Sequence, residues 1–263
     1  MLIRALRRLT LPRLTDLTAI RAILETDRNW AVYALGDLAP GFREHSVWHT
    51  AEGALLLLYR AFETPVLFTL GAPDNIAPLL DEVAHEREMY LSIQPEILPL
   101  IKAHWNVKHE TPMWRMVLDP TRFQPLPGEG VIRLSLADLP ALDVLYADGQ
   151  LTGEVPDFFN PPMLEQGAFY GVNEADRLIA AAGTHLVSTE LSVGAVGNVY
   201  TRRDRRGRGL AARVTSAVTA ELLRLGLSTI ALNVNQHNLP AQRVYERLGY
   251  RRYCAFYEGV AFK

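Results

Sequence analysis

The chain has 263 residues, a formal charge of −2, 49% hydrophobic and 21% charged residues, a composition typical of a globular chain long enough for one large domain or two modest ones. Cys254 is the only cysteine, which excludes an intramolecular disulfide and a four-cysteine zinc site and fits a reducing cytoplasm. No apolar run approaches the roughly 20 residues a bilayer span requires, so a cytoplasmic protein with no membrane partner and no metal is expected. The opening residues, Met1–Leu9, are basic and amphipathic but lack the apolar centre of a signal peptide, and they read as an opening strand or helix with exposed arginines.

Leu14–Leu24 and Trp30–Leu35 have helical spacing, and Ser46–His49, Ala54–Arg60 and Val66–Leu70 read as strands. Ile76–His85 is predicted as a helix, Met89–Ile93 as a strand, Ile97–Trp105 as a helix and Trp114–Leu118 as the last strand of this half. Asp119–Gly130 then packs three prolines and two glycines into twelve residues, the mark of a linker. The predicted organisation is a domain at 1–119, a linker at 120–130 and a second domain at 131–263.

The second half opens with a short strand from Val131, a helix over Leu136–Tyr146 and a loop at Asp157–Pro162. Ala168–Val172 and Leu178–Val187 form a predicted hairpin around the polar turn Asn173–Asp176. Val193–Thr201 is a strand interrupted by Gly194 and Gly197, and Leu210–Leu225 is a helix ended by Gly226. Thr229–Val234 is a strand, Pro240–Leu248 a helix stopped by Gly249, and Tyr250–Phe262 strand material. Strands feeding helices that return to strands predict an α/β chain with mixed sheets flanked by helices. Tyr90–Leu100 and Ala231–Ala241 share the order strand, polar turn, proline, apolar helix. That order reads as a weak internal repeat or as convergent use of one common unit.

The turn before Leu210 carries the most chemistry. Gly207 and Gly209 let a ligand approach the backbone at a helix N-terminus, where amide N–H groups lack partners and the helix dipole favours an anion. Arg206 and Arg208 add charge-assisted bonds to phosphate oxygens, and Ala211 keeps the next turn slim. Six arginines fall between Arg202 and Arg213, more than a solvated turn needs, while the slightly negative overall charge argues against nucleic acid as partner. The matching turn of the first half, Leu70–Ile76, keeps one glycine, has no arginine and carries Pro73. If that half is a copy, it is one without the pyrophosphate site.

Arg206-x-x-Gly209-x-Ala211, followed by Asn238-x-x-Ala241-x-x-x-Tyr245-x-x-x-Gly249-Tyr250, resembles the two cofactor motifs of the GCN5-related N-acetyltransferase superfamily. The match covers roughly Val131 to Phe262, and the two-domain arrangement resembles the branch that includes glycine N-acyltransferases, with a degenerate first half and an FR47-like second. The resemblance implies a sheet whose fourth and fifth strands splay around acetyl-CoA or another short acyl-CoA. Backbone groups at Val199, Tyr200 and Thr201 would bind the pantetheine arm, and Arg206 to Ala211, including Leu210, the pyrophosphate. Asn238 and Ala241 would also contact the cofactor, Asn238 capping its helix as well. Gly194 and Gly197 suit a bulge or close backbone approach, or merely loosen an edge strand.

Acyl transfer to an amine needs a proton for the departing thiolate, and Tyr245 is the expected donor. Asn238, Ala241, Tyr245 and Gly249 share one helix face by their three- and four-residue spacing; the alternative for Tyr245 is a buried core position. The family's usual carboxylate base is missing from Ser192–Gly197, so Glu190 just before it stands as the base, with His185, Glu154 and Asp157 as alternatives. Glu154, Asp157 and Phe158 on the Leu151–Phe159 loop are expected to meet the acceptor, a small-molecule amine or amino-acid-like compound. Protein or peptide N-acetylation and a non-catalytic acyl-CoA sensor are the competing readings, and a homodimer is left open.

Overall fold

A computed structural model describes residues 13–150, 152–154, 156 and 159–263; the expectation for Met1–Leu9 lies outside them. The chain divides into two compact units, each assembled from non-contiguous segments. Of the described residues, the first holds 13–27, Pro40–Thr111 and Phe256–Lys263; the second holds Arg28–Ala39 and those of Pro112–Ala255. Each unit therefore takes a segment from the other side of the sequence-predicted linker or from the far end of the chain.

In chain order the first half supplies α1 (Leu17–Leu24), α2 (Val32–Gly36), β1 (Ser46–Ala51), β2 (Ala54–Tyr59), β3 (Val66–Leu70), α3 (Pro73–Leu80), β4 (Glu88–Ile93), α4 (Leu98–Lys102) and β5 (Asn106–Leu118). Helix α1 starts where Asp16 accepts hydrogen bonds from the Thr18 and Ala19 amides, satisfying two N–H groups that have no partner within the helix. The second half supplies β6 (Val131–Arg133), α5 (Leu139–Gln150), α6 (Met163–Gln166), β7 (Tyr170–Glu174), β8 (Arg177–Ser188), β9 (Val193–Thr201), α7 (Leu210–Arg224), β10 (Thr229–Asn235), α8 (Leu239–Arg247) and β11 (Tyr250–Phe262).

In the first unit the strand order is β1-β2-β3-β4-β11-β5; β1/β2, β2/β3 and β4/β11 are antiparallel and β3/β4 is parallel. All six residues of β2 are buried, as its unbroken Leu55–Leu58 run requires. Gly71, between β3 and α3, leaves no room for a side chain: a Cβ there would lie 2.6 Å from that of Ala54. Its role is close packing. Strand β5 is much longer than the predicted Trp114–Leu118. Asn106–Glu110 is mostly exposed, with His109 in the left-handed region at φ 55°, so no alternation of apolar residues marks it. Neighbouring strand β11 supplies the order instead, with Gly259 lying against the Lys108 and His109 carbonyls.

In the second unit the order is β6-β7-β8-β9-β10-β5, antiparallel except for β9/β10. Helices α7 and α8 share one apolar cluster with Val196, Leu232 and Val234, and α5 and α6 share another with Leu178, Ala181 and Tyr200, so the sheet carries helices on two faces. Phe123 packs on the first cluster and the Leu126 amide donates to Ser216 Oγ at 2.9 Å, pinning the proline-rich stretch to α7. Helix α2 belongs to this unit because Trp30, Ala31, Val32 and Leu35 are fully buried in it and Gly36 seats Leu186 of β8, whose methyls a Cβ would approach to 2.9 Å. Arg28 fastens the segment, donating to Thr229 Oγ1 at 2.8 Å and to the Leu191 and Ser192 carbonyls.

Gly183 on β8 faces the fully buried Phe169 ring, and a Cβ there would fall 2.2 to 2.4 Å from it. Gly183→Ala should cost about 1–3 kcal/mol by overpacking, measured as a lower midpoint in urea unfolding.

Candidate active site

Strands β9 and β10 pair from Val193↔Thr229 to Val196↔Leu232 and then stop. Beyond that point β9 continues to Thr201 paired only with β8, and β10 continues to Asn235 paired with β5. The facing edges of Gly197–Thr201 and Asn233–Asn235 are thus parted. The register of β8 with β9 shifts on both sides of Gly183, and Asn198 adopts φ 54°, a bulge that turns β9 away. Tyr146 of α5 holds the bulge, its hydroxyl donating to the Asn198 carbonyl at 2.9 Å. On the other side, Gln242 of α8 donates to the Asn235 and Gln236 carbonyls at 3.0 and 2.9 Å.

Val199, Tyr200 and Thr201 lie on this parted edge. Val199 packs toward the α7 cluster and Tyr200 toward α5. The Tyr200 hydroxyl donates to Asp148 at 3.0 Å, and Asp148 also accepts from the Arg203 amide at 3.0 Å, which with the hydroxyl holds its carboxyl below the usual range. The turn that follows reaches α7 through Gly207 at φ 79° and Gly209 at φ 73°, a conformation that favours glycine. A Cβ at either would meet nothing within 4 Å, and Gly209 begins the helix without a side-chain cap. The result is a glycine-lined rim at the N-terminus of a 15-residue helix, with Leu210 buried beneath it and Ala211 partly so.

The arginines are engaged with carboxylates. Arg206 binds Glu154 through both oxygens, at 3.1 and 3.0 Å, donates to the Thr201 carbonyl and lies 5.7 Å from the Tyr200 ring centroid. Arg208 and Arg205 share Glu174 at 3.0 and 2.5 Å. Glu154, expected at the acceptor, is therefore tied to the loop, and the Arg206 guanidinium together with Thr152 holds its pKa down. Asp157 and Phe158 lie outside the described residues. Phe159 stacks edge-on to Tyr146 and Phe169 at 5.3 and 6.0 Å between centroids, anchoring its loop.

Tyr245 and Ala241 both meet the α7 cluster that contains Val196, Leu210 and Val234. Tyr245 is buried, which pushes its phenol up to about 12, and its ring meets that of Tyr250 edge-on at 6.2 Å. Asn238 caps α8, accepting from the Ala241 amide at 3.2 Å. Glu190 is exposed in the turn between β8 and β9. From Val193 to the parting at Gly197, β9 covers roughly 13 Å at ~3.3 Å per residue, so Glu190 stands at the end of the strand away from the parted edge. Nearness in sequence to β9 did not translate into nearness to its open edge.

Sequence spacing pointed less clearly to a cluster beside the parting. His185 of β8 lies over Gly197, where a Cβ would fall 2.2 Å from its Nε2. Its Nδ1 is 3.1 Å from the Tyr33 hydroxyl of α2. Buried Arg115 places its guanidinium carbon 4.5 Å from the Tyr33 ring centroid and 5.1 Å from that of Trp30. Burial, helped by the Arg115 charge and opposed by Asn198, lowers the imidazole to about 4. Tyr33, Asn198 and Gln242 went unnoticed in the sequence because each is a single polar residue in an otherwise ordinary element. Among the described residues no three histidine, cysteine or acidic side chains cluster to hold a metal, and no helix is long and apolar enough to cross a membrane.

A histidine buried neutral takes up its proton in the unfolded chain near pH 6.5 and in the folded chain only near 4. The unfolded state then binds more protons between these values, and stability falls as pH drops from 6.5 towards 4. His185→Gln should flatten that slope in urea titrations run across this window, recovering up to roughly 3 kcal/mol at its lower end.

Residues 170–258 match the family described as FR47-like protein. Over 117 residues the chain is 34% identical to a mycothiol acetyltransferase of Actinosynnema mirum, an alignment covering 44% of this chain and 37% of that protein; the chain thus spans little more than a third of this curated relative. The crystal structure of a putative GNAT-family acetyltransferase from Novosphingobium aromaticivorans is 26% identical, with a TM-score of 0.57 over 79% of this chain and 88% of that one. A tandem GNAT protein from the clavulanic acid biosynthesis pathway shares the fold at 14% identity, with a TM-score of 0.59 over 95% and 97% of the two chains. Parted parallel strands, a glycine rim opening the helix between them, and these likenesses give one conclusion: the chain has the fold of the GCN5-related N-acetyltransferases, and its residues 170–258 match the FR47-like family.

Proposed function

We propose that the protein is an acetyl-CoA-dependent N-acetyltransferase that transfers acetyl directly, in a ternary complex, to the primary amine of a small or amino-acid-like acceptor. The observation that carries this reading is the junction of the parted β9/β10 edge with the glycine rim of α7. The likeness to proteins named as acetyltransferases supports acetyl transfer as the reaction.

The residues suit such a ligand. Open space over Gly207 and Gly209 admits phosphate oxygens to the backbone at the start of α7. Arg206 and Arg208 sit in exposed ion pairs, worth little in water and readily exchanged for phosphate. The unpaired edges at Val199 and Thr201 offer backbone groups to an amide-bearing arm, as an added strand would be held. When bound, acetyl-CoA supplies the acetyl group as an activated thioester. Tyr245 keeps its proton at neutral pH, the form a donor to sulfur must have. The Tyr250 hydroxyl of β11 is shared with Thr219 Oγ1 at 2.8 Å, and the donor assigned in this reading is Tyr245 of α8.

Thermal unfolding with acetyl-CoA at a hundred times its dissociation constant should show about 2.7 kcal/mol of added stability, with adenosine as control. Gly209→Glu should abolish that shift by placing a carboxylate at the phosphate position. CoA release should follow addition of tyramine, glycine or a lysine peptide; acetyl-CoA binding with no release from any amine would instead mark a sensor. In Tyr245→Phe, turnover should fall about 10- to 100-fold while acetyl-CoA affinity stays within about twofold.

A further inference from the structure

Between the end of β9 and α7 the chain passes through a short helical turn at Arg203–Arg205 and then the glycine rim. Most carboxylates around this turn meet its side chains. Asp204 pairs with Arg202 and Arg205, Glu174 with Arg205 and Arg208, and Glu154 with Arg206. Such exposed pairs are weak and reach the turn only through long side chains. Asp148 differs. Among the described residues it is the side chain that takes a backbone amide of residues 202–209. Its Oδ2 accepts from the Arg203 N–H and from the Tyr200 hydroxyl, each at 3.0 Å, and Arg203 Nε lies 3.7 Å from the same oxygen. One atom thus ties the end of β9 to the start of the turn.

The helix that carries Asp148 is itself held against β9. Tyr146 of the same helix bonds the Asn198 carbonyl, so α5 grips β9 at two points. Gly149 lies so near that a Cβ there would come within 3.0 Å of the Tyr200 ring. Its carbonyl accepts from the Thr152 and Glu154 amides, both at 3.1 Å, which fastens the chain beyond the helix to the same place. Charge and geometry at Asp148 then pull in opposite directions. A carboxylate beside a turn that receives phosphate repels it. Backbone donors fixed before a ligand arrives favour it, because they need no ordering when it binds.

We infer that Asp148 is a positioning residue for the phosphate end of the cofactor: by holding the Arg203 amide and the Tyr200 hydroxyl on one oxygen, it sets the turn whose glycines meet the pyrophosphate. This rests on the acetyl-CoA binding proposed above, and not on which amine is acetylated. Asp148 acts through the backbone of residues 203–209. Two consequences separate this role from that of a surface charge. Removing the side chain weakens acetyl-CoA binding, whereas relief of repulsion alone would tighten it. Asparagine in its place preserves binding, because both hydrogen bonds end on one oxygen and an amide side chain still offers one. The thioester is at the opposite end of the ligand from the pyrophosphate, so turnover at saturating acetyl-CoA is unaffected.

The test uses the full chain, with acetyl-CoA affinity measured by titration and kcat read as CoA release with the amine that is turned over. Asp148→Ala should bind acetyl-CoA about tenfold more weakly, with kcat at saturating acetyl-CoA within about twofold of the native value. Asp148→Asn should bind within about twofold of the native protein, or more tightly. Asp143→Ala, which removes an exposed charge from the same helix, should change affinity by less than about twofold. Arg203→Pro deletes the donated amide itself. Residue 203 opens its turn and Arg202 before it is extended at ψ 136°, both of which proline accommodates. This variant should bind about tenfold more weakly than Arg203→Ala, which loses the same cation but keeps the amide. Folded Asp148→Ala that binds acetyl-CoA as well as the native protein, or better, overturns the inference and leaves the proposed function standing. Asp148→Asn as weak as Asp148→Ala also overturns it, as does equal binding by the two Arg203 variants, and that pair decides alone if Asp148→Ala does not fold. No acetyl-CoA binding by the native protein removes the proposed function and this inference together.

Discussion

The second unit depends on two parallel strands being held apart without leaving either one unsupported. Parallel neighbours ordinarily stay paired, and an unpaired edge invites the wrong partner. Here each strand keeps a full ladder on its outer side, β9 with β8 and β10 with β5, so parting the inner edges costs few hydrogen bonds. The bulge at Asn198 turns β9 aside under the grip of Tyr146, and the Gln242 amide fixes the last turn of β10 from α8. The parted edge is therefore a built gap with firm walls.

A relay of polar contacts carries this geometry to the loop. Asp148 on α5 receives both the Tyr200 hydroxyl and the Arg203 amide, Tyr200 lies under Arg206, and Arg206 reaches Glu154. One carboxylate thereby sets the end of β9 and the start of the turn that leads to α7. The glycines at 207 and 209 then complete the turn in a backbone conformation that side chains rarely adopt.

What the sequence disclosed was local. The helix over Leu210–Arg224, the cap at Asn238 and the strand from Val193 to Thr201 stand where apolar period and capping chemistry place them, since such signals act within a few residues. The parting was implied by the resemblance, while among the residues themselves only Gly194 and Gly197 hinted at it, and a glycine in a strand has several meanings. Glu190 and His185 show the limit plainly: the first is nearer to β9 along the chain, the second nearer to its open edge, and strand direction decides between them. Tyr33 was further out of reach. The spacing of Trp30–Leu35 declares a helix with a buried face, but says nothing of which sheet that face will cover. Arg206 and Glu154 were each visible as charged residues, while their mutual grip depends on how the chain folds back across 52 positions.

The carboxylates on Arg206 and Arg208 also bear on the entropy of binding. Long cationic side chains waiting free in water would each have to be frozen when an anion arrives, an expense that erodes affinity. Glu154 and Glu174 already engage these guanidinium groups. Each pair is exposed and weak, so its carboxylate is readily displaced. In the proposed function, a phosphate would exchange one oxyanion for another at guanidinium groups that carboxylates already engage.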